Sequence, residues 1–151
     1  MATLIPKVSV VIAVDTAYVA SHGTDGQITS GVFLIDNMVR RGSTKEATLQ
    51  LHTVCNAGDL IGFHCVPIDG AGSSSDQVII TQFLDDSGDV FTGAGHPRQQ
   101  PPIGKGPAGN WWIGQVMKAG TETYTIALQV TAGQLQPVMY DVWVKATITA
   151  S

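Results

Sequence analysis

The feature of this chain that most restricts its fold is the alternation of apolar and polar residues. In ETYTIALQVT and VMYDVWVKATIT the apolar side chains fall at every second position, and KVSVVIAVD and EATLQLHTVC repeat the pattern. A period of two, in segments rich in Val, Ile, Thr and aromatic residues, is typical of half-buried β-strands. The side chains predicted to share the buried faces are Val8, Val10, Ile12, Val14, Ala47, Leu49, Leu51, Thr53, Tyr124, Ile126, Leu128, Val130, Val138, Tyr140, Val142, Val144, Ala146 and Ile148.

Four more segments, 31–39, 59–66, 76–84 and 110–117, bring the total to about eight strands. Gly, Asn, Asp and Ser cluster between them, and these residues favour tight turns. Residues 15–23 are expected to add one helical turn, and no longer helical pattern competes. The sequence therefore predicts an all-β fold, an antiparallel β-sandwich of jelly-roll type, with residues 1–151 forming a single domain.

The turn Asn56–Gly58 predicts one hairpin. A three-residue loop with its glycine in the left-handed conformation pairs Cys55 with Asp59 and Leu49 with Cys65. The two cysteines are then offset by six residues, roughly 20 Å at ~3.3 Å per residue. Since a disulfide needs Cα atoms within about 7 Å, we expect two free, buried thiols.

The histidines show no metal-ligand spacing such as HxH or HExxH. His52 and His64 fall on the same face of the predicted hairpin, where two outward polar side chains are favoured over a metal pair. Asp85, Asp86 and Asp89 share one turn and could hold Ca²⁺ through oxygen ligands. A hairpin turn that uses Asp for its geometry is the favoured alternative, so we expect no cofactor.

Composition excludes several function classes. Charged residues make up 13% of the 151, against about 25% in typical domains. The net charge is −4 and only eight residues are Lys or Arg, so the basic patch that nucleic-acid binding needs is missing. No apolar run approaches the ~20 residues of a membrane span. The N-terminus does not have the pattern of a signal peptide. We therefore expect a cytoplasmic protein, with export by another route left open.

Enzyme signatures are also absent from the sequence. It contains no GxSxG nucleophile motif, and no phosphate-binding glycine motif follows a strand. The prediction is a non-catalytic protein. Because solubility and monomeric behaviour rely on net charge, a chain this poor in charge is expected to form a homo-oligomer.

The segment from Phe91 to Trp112, FTGAGHPRQQPPIGKGPAGNWW, is the candidate binding site. Its five glycines and four prolines exclude a helix or an ordinary strand, and unstructured loops of this length are usually functional or disordered. Planar polar side chains beside an aromatic plate suit a sugar, because a sugar combines hydroxyls with an apolar C–H face. Ligand sites in general combine apolar walls with a few placed polar groups. The predicted ligand-binding residues are His96, Arg98, Gln99 and Trp111. A proline-rich surface loop is the alternative.

Adjacent tryptophans must point to opposite faces of a strand, so either Trp111 or Trp112 is expected to leave the core. Trp143 is expected on the outward face of the last strand. We predict that it lies in an interface between protein chains, where Trp is enriched. Cover by a loop of the same chain is the alternative.

Several segments resemble the bacterial AidA/PixA inclusion-body protein family. They are VVIAVDTAYVASHG, NAGDLIGFHCVPIDGAGSSSDQVIITQF, SGDVF and VMKAGTETYTIALQV, in this order over most of the chain. The resemblance implies a small, abundant, non-enzymatic bacterial protein that forms intracellular inclusions. It further implies regulation by cell density (quorum sensing) and a role in host interaction or virulence.

A second, local likeness joins GHPRQQ and GQVMKAG to calcium-dependent galactose-specific bacterial lectins. Carried over, His96 and Gln99 would bond sugar hydroxyls, but TAGQLQP lacks the carboxylates with which those lectins hold calcium. The leading hypothesis is a self-associating, lectin-like carbohydrate-binding protein. The alternative is a structural or storage protein of inclusions with no small ligand.

Overall fold

The computed structural model describes residues 5–22, 26–27, 30–68, 76–104, 106–132 and 138–151, without the side chains of His22, Gln27, Asp85, Asp86 and Val138. Within these ranges the chain forms ten strands, one α-helix and two 3₁₀ turns. Their bounds are β1 Val8–Asp15, α1 Thr16–His22, β2 Gly26–Gln27, β3 Val32–Asp36, a 3₁₀ turn at Val39–Arg41, β4 His52–Cys55, β5 Leu60–Ile68, β6 Gln77–Ser87, a 3₁₀ turn at Gly93–Gly95, β7 Arg98–Gln99, β8 Trp111–Gln115, β9 Gly120–Ala132 and β10 Val138–Ala150.

The strands form two sheets. Sheet A has the order β3-β1-β5-β8-β7, and sheet B has the order β2-β10-β9-β6, with β4 also paired to β10. The hairpin of β9 and β10 is the longest pairing, because both strands are 13 residues long and pair throughout. The sandwich predicted from the period of two is therefore confirmed, and two of its strands, β2 and β7, are only two residues long.

The predicted alternation places the core correctly in β1, β5, β9 and β10. The apolar side chains at even positions of β1, β9 and β10 lie between the sheets, with Tyr140 only partly buried there. Val138 lies outside the described side chains. The α-helix is longer than the single predicted turn, because the side chain of Asp15 accepts the backbone N–H of Tyr18 at 3.0 Å and satisfies a free donor in its first turn.

The sheets are mixed, which corrects the expectation of purely antiparallel pairing. β1 pairs with β5 in parallel, and β2 and β4 both pair with β10 in parallel. Parallel neighbours need a crossover connection. The chain has room for these crossovers, because at least one other strand lies in sequence between the two strands of each parallel pair.

The predicted hairpin of β4 and β5 is wrong. β4 lies in sheet B beside β10, whereas β5 lies in sheet A between β1 and β8. Gly58 does adopt a positive φ of 96°, as the turn requires. However, the backbone N–H groups of Ala57 and Gly58 bind the carbonyls of Ser151 and Val116. The turn therefore carries the chain from one sheet to the other.

The strand expected over residues 46–55 is shorter than predicted and begins at His52. Lys45 and Ala47 have φ values of 64° and 60°, which interrupt an extended chain. Ala47 is exposed and not in the core. Instead, Ala47 and Thr48 exchange backbone hydrogen bonds with Leu34 and cover the edge of β3.

No described helix has the length and apolar character needed to cross a membrane.

Candidate functional site

The segment between Phe91 and Trp112 is ordered along most of its described length. Phe91 is buried in the core and contacts Tyr124 edge-on, with ring centroids 5.8 Å apart. The 3₁₀ turn packs Gly95 so tightly that a Cβ there would overlap the Gln115 carbonyl. Arg98 and Gln99 then form β7 against β8. These contacts fix both ends of the segment on the sandwich, and its role in ligand binding stays a prediction.

The four predicted ligand-binding residues lie in two directions. Arg98 is opposite Ile113 and Gln99 is opposite Trp112, so neighbouring side chains of β7 point to opposite faces. Arg98 therefore shares the face of Trp111, and both Arg98 and Gln99 are exposed. His96 is half-buried at the end of the 3₁₀ turn.

The two adjacent tryptophans separate as predicted. Trp112 points inward, where its ring packs against Phe83 with centroids 5.4 Å apart and its Nε1 donates to the Gly109 carbonyl at 3.1 Å. Trp111 lies half-buried on the outer face of sheet A. It covers Gly62 and meets the ring of His64 edge-on at 6.3 Å. Burial lowers the pKa of His64 below its usual value.

The possible calcium site lies mostly outside the described residues, because the side chains of Asp85 and Asp86 are not described. Asp89 accepts from Lys118 Nζ at 3.1 Å. No group of three or more His, Cys, Asp or Glu side chains suited to a metal occurs in the described parts of the chain.

Neither cysteine is placed for nucleophilic work. Both are free and buried, as predicted, and burial raises the pKa of Cys55 and of Cys65 to about 12.

His52 and His64 lie in different sheets, so the prediction that they share one face of a hairpin is wrong. The Nε2 of His52 instead lies 2.7 Å from the Thr149 hydroxyl.

Trp143 lies on the outer face of sheet B, half-buried, between neighbours that point into the core. The Nζ of Lys145 lies 5.7 Å from the centre of its ring. An open groove of about 270 Å³ runs beside it. Its lining residues are Leu84, Thr125, Ala127, Trp143 and Lys145.

Sequence reasoning missed three acidic side chains that are wholly or partly buried: Asp36, Glu46 and Glu122. Asp36 accepts hydrogen bonds from the backbone of Met38 at 2.8 Å and from the hydroxyl of Thr53 at 2.7 Å, and so joins sheet A to β4. Glu46 Oε1 accepts the backbone N–H of Asp36 at 2.8 Å. Burial raises the pKa of Glu46, and the nearby Asp36 carboxylate raises it further, against the lowering effect of that backbone hydrogen bond.

Glu122, unlike Glu46, is fully buried, and its Oε1 accepts the backbone N–H of Phe91 at 3.3 Å. The alternation in β9 could have revealed the burial of Glu122, because even-numbered residues of this strand, such as Tyr124 and Ile126, point inward. Burial raises the pKa of Tyr124 strongly. The hydrogen bonds of Asp36, Glu46 and Glu122 tie loops and strands together, which is a structural role.

Comparison with known proteins gives one family and one fold. The family model described as "Domain of unknown function (DUF8788)" matches residues 6–136. A search of the curated proteins finds no match. Among solved structures, the chain is similar to the inclusion body protein PixA from Burkholderia cenocepacia, with a TM-score of 0.77 and 15% identity, over 100% of this chain and 98% of that chain. The resemblance to the AidA/PixA family is thereby confirmed at the level of the fold.

Proposed function

The chain belongs to the DUF8788 family, and we propose that it is a non-catalytic protein that self-associates into large assemblies. The observation that carries this proposal is the groove around Trp143 on the outer face of sheet B. A half-buried indole beside Leu84 and Ala127 offers the aromatic and apolar contacts that the centres of protein interfaces favour.

Two further observations support self-association. The chain has only 13% charged residues, so little repulsion keeps copies apart. The solved structure to which its fold is similar is that of an inclusion body protein. Assembly into bacterial cytoplasmic inclusions is part of this proposal. Quorum-sensing regulation and a role in virulence stay predictions of the resemblance.

The test is the mass of Trp143→Ala in solution, measured by light scattering after size-exclusion chromatography. Loss of the indole should shift the protein to smaller species than the wild type at the same concentration. The matched control is Ile103→Ala, which removes a 40% exposed apolar side chain between β7 and β8. Equal masses for wild type and Trp143→Ala would reject the groove as an interface.

A second candidate function is glycan binding at the edge formed by β7 and β8. The observation that favours it is that the exposed Arg98 shares a face with the half-buried Trp111, so a guanidinium and an indole lie on one surface. Such a pair can bond sugar hydroxyls and cover an apolar sugar face. We propose that the glycan lies across the edge of β7, so that His96 and, from the opposite face, Gln99 are the further residues of this site. A purely structural or storage protein would assemble equally but bind no glycan.

A further inference from the structure

We propose that two copies of this chain form a dimer through the outer face of sheet B, with their β10 strands antiparallel and the two Trp143 side chains at the two-fold axis. The inference rests on the self-association proposed above. It goes further in naming what covers the groove around Trp143, which is the same face of a second copy in one defined orientation.

The outer face of β10 presents one charge of each sign beside Trp143. Asp141 precedes the tryptophan by two residues and Lys145 follows it by two, and both charged side chains are exposed. The residues between them, Val142 and Val144, are buried. Asp141, Trp143 and Lys145 therefore form one outward row, with ~6.6 Å between neighbours at ~3.3 Å per residue.

This row of side chains is complementary to its own reverse. A two-fold axis that lies between two such faces and crosses β10 at Trp143 places Asp141 of each copy opposite Lys145 of the other, so the same ion pair forms twice. Parallel rows would instead place Asp141 opposite Asp141 and Lys145 opposite Lys145, and like charges in direct opposition exclude a partner. An unrelated apolar partner would desolvate both charges and offer an opposite charge to neither. The charge pattern therefore favours a second copy and fixes its orientation.

The strand beside β10 adds no charge to this face. The row of β10 is paired with Gln129, Ala127 and Thr125 of β9. Among the outward side chains that the structure describes in β9 and β10, only Asp141 and Lys145 are charged. The centre of the face is therefore neutral, although the chain has a net charge of −4. The two tryptophans meet in this centre, where the aromatic anchors of protein interfaces are usually found.

The outer face of sheet B is long enough for a specific interface. β9 and β10 are 13 residues long and β6 is 11. Three strands at ~4.8 Å spacing and 13 residues at ~3.3 Å each give roughly 600 Å² per copy. Two copies then bury about 1,200 Å², above the ~1,000 Å² that a biological interface should exceed. Met139 and Leu84, which are 64% and 45% exposed, add apolar contact area to this face.

The proposed contact defines the first step of assembly. A contact between identical faces is two-fold and closes on itself as a dimer. Growth beyond the dimer therefore uses another part of the surface. The dissociation constant of the dimer, measured at low concentration, reports on the outer face of sheet B alone.

The test reverses the two charges singly and together. Lys145→Asp or Asp141→Lys places like charges opposite each other twice, so each should raise the dimer dissociation constant, measured by sedimentation velocity, about tenfold or more. The double variant Asp141→Lys with Lys145→Asp restores opposite charges in antiparallel rows and keeps the net charge, so it should return to the wild-type value. Lys45→Asp is the matched control. It makes the same change of charge at an exposed residue outside this face, and Asp tolerates the φ of 64° found there.

Restoration in the double variant is decisive because the Nζ of Lys145 also lies 5.7 Å from the Trp143 ring within one chain. The double variant lacks that contact, so its recovery reports the pairing between copies. Where a reversal loses cooperative melting, Asp141→Asn and Lys145→Gln replace it, and each must still weaken the dimer.

Wild-type dissociation constants for the single variants, an equal loss in Lys45→Asp, or no recovery in the double variant would overturn the inference. The proposed function fails separately. A wild type that stays monomeric rejects self-association altogether. Assemblies that Trp143→Ala disrupts and both charge reversals leave intact reject only the antiparallel arrangement.

Discussion

Gly62 and Trp111 share one space on the outer face of sheet A. A Cβ on Gly62 would overlap the indole of Trp111 and come within 2.8 Å of Pro6 Cγ. We therefore expect Gly62→Ala to lower the free energy of unfolding by about 1–3 kcal/mol, the usual cost of overpacking. Urea unfolding followed by tryptophan fluorescence measures this cost. The double variant Gly62→Ala with Trp111→Ala should lose less than the sum of the two single changes, and strict additivity would show that the two residues do not compete.

The two cysteines should be unreactive while the protein is folded. Their pKa values of about 12 leave roughly one thiolate in ten thousand at pH 8, and the thiolate is the reactive form. Brief treatment with iodoacetamide at pH 8 should add nothing to the native protein and two groups to the protein in urea, as read by mass spectrometry. Fast modification of either thiol in the native state would contradict the burial described here.

Glu46 should make stability depend on pH in a defined direction. Its folded pKa is raised above the usual 4.5, so the folded state holds this proton more tightly than the unfolded state. Its contribution is complete below pH 4.5 and is lost as the pH rises through the raised value. The melting temperature of Glu46→Gln, measured relative to that of the wild type at the same pH, should therefore increase from pH 4 to pH 7. Asp89→Asn, which changes an exposed carboxylate, is the control; a Glu46→Gln difference that does not vary with pH would refute the prediction.

Glycan binding makes its own prediction. A glycan array should give a hit that is lost in Arg98→Ala and in Gln99→Ala but kept in Trp143→Ala, whose change lies on the other sheet. An arm with EDTA tests calcium at Asp85, Asp86 and Asp89, since a calcium-dependent hit disappears there. A hit that survives both β7 changes would remove this site, and an array without hits would favour the structural alternative.

The period of two was sufficient to predict the sandwich and most of its core. A run such as Tyr124, Ile126 and Leu128 must turn one face to an apolar partner wherever the strand lies. The local pattern alone therefore decides which side chains of the strand are buried. The outward placement of Trp143 and the separation of Trp111 from Trp112 follow from the same rule. They needed no knowledge of which strands are neighbours.

Strand pairing could not be predicted in this way. The turn at Asn56–Gly58 has the residues of a hairpin, and Gly58 has the expected positive φ. Whether such a turn joins paired strands or crosses between sheets depends on distant partners. Here those partners are the carbonyls of Val116 and Ser151, which bind its N–H groups.

The candidate site was predicted from residues that are neighbours in sequence. In a pleated strand, however, adjacent side chains point to opposite faces, so neighbours in sequence need not share a site. Arg98 and Gln99 are adjacent in the chain but face opposite sides of sheet A. By contrast, Ile35 and Val11 are distant in sequence and come together only through the pairing of β1 with β3. Neighbours of this kind have no signature in a linear motif.

The weight-average mass of the wild-type protein as a function of concentration tests the central claim most directly. Sedimentation equilibrium should give a mass that rises above 15.9 kDa and keeps rising beyond twice that value, as large assemblies require. A mass that stays at 15.9 kDa over the whole range would contradict self-association.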